Sequence, residues 1–103
     1  MIKLIQERQP QIAVICRHMG IHRLDVFGSA VTDNFDPATS DVDFIVEFDD
    51  SGAFGGLLTR YIELATQLEA LLGIAVDIIT PRSIRNPYFS QSVNASKESV
   101  YAE

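Results

Sequence analysis

Two aspartates set into a run of strand-forming residues, Asp41-Val42-Asp43-Phe44-Ile45-Val46, constrain this chain more than any other feature. Side chains on a strand alternate between faces, so Asp41 and Asp43 project one way while Val42, Phe44 and Val46 project the other way into a core. Aspartate is disfavoured in strands and like charges this close repel, so the pair calls for a cation between them. Hard oxygen donors at this spacing suit Mg²⁺, which takes one or two protein carboxylates and fills the rest of its shell with water and substrate phosphates. The metal would therefore arrive with a nucleoside triphosphate.

Length and charge narrow the partners. A chain of 103 residues reads as one domain, 1–103, able to bury a core but too short to add a separate substrate domain. A formal net charge of -6 argues against direct binding to nucleic acid, an affinity that comes mostly from Lys and Arg neutralising phosphates. The lone Cys16 excludes an internal disulfide and, within an apolar helical pattern, reads as a buried structural thiol in a cytoplasmic protein. No apolar run approaches the ~20 residues that span a bilayer, and no signal peptide is visible.

Periodicity orders the elements. Pro10 suits a helix's first turn, and Ile12, Ile15, Cys16 and Met19 recur at helical spacing up to Gly20, predicting a helix over about 10–19, preceded at most by a short helical segment. Residues 22–27 alternate, with Leu24 and Val26 on one face, and predict a strand that delivers Gly28-Ser29 at its end. Residues 33–40 read as a loop and 42–48 as a second strand. After an acidic, glycine-bearing turn over 49–56, the apolar residues from Leu57 to Leu72 keep the 3.6-residue period of a long helix that stops at Gly73. The β-branched run 75–80 predicts a third strand broken by Pro81, and Asn86-Pro87 a capped last helix. The tail through Val100 and Tyr101 fits either helix or edge strand.

A Gly-Ser pair after a strand is by itself only a turn. Followed by Asp41 and Asp43 it gains meaning, because glycine lets backbone approach a triphosphate and the Ser29 hydroxyl can donate to its oxygens. Asp77, alone among β-branched residues in Val76-Asp77-Ile78-Ile79, would be costly to bury without a partner. If its strand neighbours that of Asp43, the three carboxylates make an acidic cluster suited to metal-assisted phosphoryl transfer.

Together, Gly28-Ser29, the loop, Ser40-Asp41-Val42-Asp43 and Val76-Asp77 resemble the minimal nucleotidyltransferase (MNT) domain of the DNA polymerase β-like superfamily, over nearly the whole chain. The resemblance implies an α/β (α+β) fold, a small mixed sheet flanked by helices. It also implies that Gly28 and Ser29 hold the triphosphate of ATP, that Asp41, Asp43 and Asp77 form the Mg²⁺ site, and that Asp77 acts as base. Many stand-alone members are antitoxins beside a HEPN-domain ribonuclease toxin, with which they can form a hetero-oligomer, and some transfer AMP onto a toxin tyrosine.

One departure stands out: Ala30-Val31-Thr32-Asp33-Asn34 lacks the basic residue that often follows the Gly-Ser pair. Arg60, Arg82 and Arg85 are the candidate substitutes, though each reads as a solvated surface charge. The missing cation keeps open a binding module of the same fold that neutralises its toxin by covering it. A small-molecule nucleotidyltransferase is disfavoured by the length. His18 and His22 read as surface or helix-end residues, and Tyr61, Tyr88, Phe89 and Tyr101 as core or as a partner surface.

Overall fold

The computed structural model describes residues 1–31, 35–36, 38, 40–49, 55–81 and 86–103. Its elements run α1 (Lys3–Met19), β1 (Ile21–Phe27), a 3₁₀ turn (Gly28–Val31), β2 (Val42–Phe48), α2 (Leu57–Leu72), β3 (Val76–Ile79), α3 (Pro87–Ser96) and β4 (Glu98–Ala102). The described strands form one mixed sheet in the order β3-β2-β1-β4. β1 is antiparallel to β2 and β4, whereas β2 and β3 are parallel. The expected small mixed sheet flanked by helices is therefore present, and the tail resolves as an edge strand.

One face of the sheet carries the main core. Leu24, Val26, Val42, Phe44 and Val46 are fully buried there, beneath Ile5, Ile12 and Cys16 of α1 and Leu64 and Leu68 of α2. Burial pushes the Cys16 thiol up to about 12, as expected of an inert structural cysteine. α1 is longer than the pattern from Pro10 onward suggests, and Pro10 lies inside it rather than in its first turn. An interior proline removes one helical hydrogen bond. Burial of Ile5, with Leu4 packed against the core, carries the helix through that loss.

The opposite face is smaller and more polar. Strand register sets Phe27, Asp43 and Asp77 in one row and Asp25, Ile45 and Ile79 in the next. α3 covers this face through Val93, which packs with Phe27, Ile45 and Ile79. Its start is fixed as expected: the Asn86 side-chain oxygen accepts from the backbone N–H of Tyr88 (2.9 Å) and Phe89 (3.4 Å), ahead of Pro87 at the first helical position.

Candidate active site

Three chain segments meet at one end of the sheet. β1 ends there at Phe27 and hands over to Gly28, β2 begins there, and parallel pairing brings β3 alongside with Asp77 directly opposite Asp43. Because β2 and β3 are parallel, the starts of both strands face the same end, and two residues distant in sequence become lateral neighbours. Asp41 precedes β2 rather than lying in it and is exposed, so the strand alternation expected to align it with Asp43 does not act on it. It still stands close enough for its charge to reach Asp43.

The electrostatics follow from that packing. Asp43 is half-buried, and its pKa is raised above the ordinary carboxylate value first by loss of solvent, then by the charges of Asp77 and Asp41. Among the described residues no group of three or more His, Cys, Asp and Glu side chains is placed to hold a metal ion. Mg²⁺ does not require such a group, since one or two carboxylates with phosphate and water oxygens complete its shell. A half-buried carboxylate flanked by two others fits such a cation.

Gly28 is fixed twice over. Its φ of 74° lies in the left-handed region, and a Cβ at this position would sit 2.7 Å from Oδ2 of Asp43. Backbone and carboxylate are thus packed too closely for any side chain. Gly28→Ala is expected to cost about 1–2 kcal/mol from the left-handed backbone alone, and more from displacing Asp43. Urea unfolding measures the first effect and calorimetry with Mg²⁺-ATP the second.

Two charged residues differ from expectation. Arg60, expected at the surface, is 5% exposed. Its guanidinium donates to the carbonyls of Asp49 (2.6 Å), Met19 (3.0 Å) and Gly20 (2.8 Å) and lies 4.8 Å from the centre of the Phe48 ring. Phe48 pairs with Ile21, at the end of the sheet remote from Gly28, so Arg60 braces the fold and does not reach the carboxylates. Arg82 and Arg85 lie outside the described residues, as do Thr32, Asp33 and Asn34. Asp25 was hidden by simple alternation: it is buried, receives both oxygen contacts from Nε of Arg23 (2.9 and 3.0 Å), and stands 3.8 Å from Nζ of Lys97. The i, i+2 spacing of Arg23 and Asp25 is the signal that could have revealed it.

The remaining assignments sort by exposure. His22 is exposed and pairs with Glu103, with Asp49 nearby at 4.0 Å. Tyr61 is half-buried and its hydroxyl donates to the Ile78 carbonyl, tying α2 to β3; burial and then the charge of Asp77 push its phenol up. Tyr101 is half-buried against the main core, whereas Tyr88 and Phe89 are exposed. Among the described residues no helix is long and apolar enough to cross a membrane.

Known proteins share this fold. The family described as "Nucleotidyltransferase domain" matches residues 10–101. A Methanocaldococcus jannaschii protein is 44% identical over 54 residues, 52% of each chain, so this chain spans about half the length of that relative in the match. The protein adenylyltransferase MntA of Thermococcus cleftensis is 37% identical over 67 residues, 65% of this chain and 63% of that one. A solved minimal nucleotidyltransferase superposes with a TM-score of 0.73 at 29% identity, covering 91% of this chain and 90% of its own. A tri-AMPylated Shewanella oneidensis HEPN toxin in complex with MNT antitoxin shares the fold at TM-score 0.64 and 22% identity, over 96% of this chain and 73% of that chain. With the family match over nearly its whole length and the glycine turn packed on paired carboxylates, this chain belongs to the nucleotidyltransferase domain family.

Proposed function

We propose that the chain transfers AMP from ATP to a tyrosine hydroxyl of a HEPN-domain toxin, and so acts as an antitoxin. The observation that carries this reading is the register of Asp43 against Asp77 beside Gly28. Asp41 and Asp43 would hold Mg²⁺, which when bound neutralises charge on the α-phosphate and the departing pyrophosphate. Gly28 keeps the turn low enough for the triphosphate to lie over it, and the Ser29 hydroxyl and neighbouring amides donate to its oxygens. Asp77 accepts the proton of the attacking phenol as its oxygen bonds to the α-phosphorus and pyrophosphate leaves. The adenylyltransferase name of a relative and the AMPylated toxin seen with an MNT antitoxin support the donor, acceptor and partner.

The second reading, neutralisation by covering the toxin without chemistry, is favoured by one feature: Ala30 is buried and Val31 half-buried, where a cation is often found after the Gly-Ser pair. Asp77→Asn separates the two. It keeps shape and removes the base, so AMP transfer is expected to fall by roughly 10²–10⁴-fold while binding to the toxin persists. Intact mass spectrometry of the toxin after incubation with Mg²⁺-ATP reads the transfer, and co-elution reads the complex. Neutralisation without any added mass by the unaltered protein would establish the covering role.

A further inference from the structure

A nucleotide held by its triphosphate still leaves a flat, apolar base to be placed, and the described surface offers few places for it. Among the described residues the large exposed hydrophobic ones are Val14 on α1, Leu57, Leu58 and Ile62 on α2, and Tyr88 and Phe89 on α3. α1 and α2 pack on the main-core face, opposite the row of Phe27, Asp43 and Asp77. Only Tyr88 and Phe89 belong to the helix covering the carboxylate face. Of the two, Phe89 is anchored: its ring meets that of Phe27 edge-on, centroids 6.1 Å apart at 73°. Phe27 is 8% exposed, immediately precedes Gly28 and is the strand partner of Asp43. Phe89 is thus tied through one buried ring to both parts of the candidate site, yet remains 46% exposed.

We infer that Phe89 is a specificity-determining residue, the wall on which the nucleobase of the bound nucleoside triphosphate stacks. The inference rests on the nucleotidyltransferase reading and adds to it the position of the base. The T-shaped contact with Phe27 holds the ring while nearly half of the residue stays exposed, and the Asn86 cap that holds the Phe89 backbone N–H (3.4 Å) restrains the turn carrying it. A fixed aromatic loses little freedom when a base stacks on it. Stacking also tolerates any base with a π face, so Phe89 favours purines over pyrimidines by contact area rather than by hydrogen-bond pattern.

Calorimetry of the whole protein with Mg²⁺ tests this with three probes: ATP, CTP and inorganic tripolyphosphate, which has no base. Phe89→Leu keeps an apolar side chain against Phe27 and removes the π face, so ATP affinity is expected to fall roughly tenfold with tripolyphosphate affinity unchanged. Phe89→Trp should restore ATP binding, and the ATP over CTP preference of the unaltered protein should shrink in Phe89→Leu. An equal loss for ATP and tripolyphosphate, or no loss for either, overturns the stacking role. If the unaltered protein binds neither ATP nor tripolyphosphate with Mg²⁺, the nucleotidyltransferase reading itself fails, an outcome distinct from failure at Phe89 alone.

Discussion

Replacing Asp43 by asparagine is expected to suppress the proposed AMP transfer by at least about a hundredfold and, at the same time, to raise the melting temperature of the metal-free protein. The two effects share a cause. Burial and the charges of Asp77 and Asp41 hold the Asp43 pKa above that of a free carboxylate, so the folded chain binds this proton more tightly than the unfolded chain does. Stability then falls as pH rises through the interval from the ordinary carboxylate value to the raised one, and the full penalty is present above it. Asparagine has the same shape and no charge to desolvate. Its stabilising effect should be greatest at neutral pH and fade on acidification, as Asp43 in the unaltered protein takes up its proton. With Mg²⁺-ATP the order should reverse, because ligand binding to the native state stabilises only the protein that retains its carboxylate. Thermal melts at two pH values, each with and without Mg²⁺-ATP, check the three expectations on stability, and intact mass spectrometry of the toxin checks the transfer. A metal-free Asp43→Asn protein that melts lower would show the carboxylate to be structural.

The elements around this site were legible because each rests on a local rule. Val42, Phe44 and Val46 occupy alternate positions of a β-branched and aromatic run and all three are fully buried. α2 begins and ends at the expected Leu57 and Leu72, bounded by Gly56 and Gly73, and Asn86 caps α3 as its sequence position suggests. What local rules could not supply was pairing. Nothing in Val76-Asp77-Ile78-Ile79 states that Asp77 lies opposite Asp43; parallel register with β2 decides it. The same limit explains Pro10, whose helix continues upstream because Ile5 finds a core built by distant residues. It also explains Asp25, which alternation places outward but which α3 and β4 enclose through Lys97. Asp41 precedes β2, so strand alternation does not place it, and its nearness to Asp43 is known from the charge that reaches that carboxylate.

Arg60 supplies the sharpest contrast and the largest expected loss of stability. An arginine in an amphipathic helix usually keeps its head in water, but here Arg60 turns inward to satisfy three carbonyls, two of them, Met19 and Gly20, at the end of α1 where the helix leaves oxygens without helical partners. It thereby joins α1, α2 and the residue after β2 through one planar group, stacked on Phe48. Arg60→Met retains the stem but removes the two nitrogens that make the three hydrogen bonds and the cation over Phe48, and is expected to cost about 3 kcal/mol, or roughly 15 °C in a domain of this size. Arg60→Lys should recover only part, because an ammonium is a point cation without the fork that reaches several acceptors at once. Since the brace lies at the end of the sheet remote from Gly28 and Asp43, KM for ATP measured well below the melting transition should not change in either variant. A rise in KM without loss of stability would instead make Arg60 a triphosphate ligand, the role that the absence of a basic residue after Gly28-Ser29 first suggested for it.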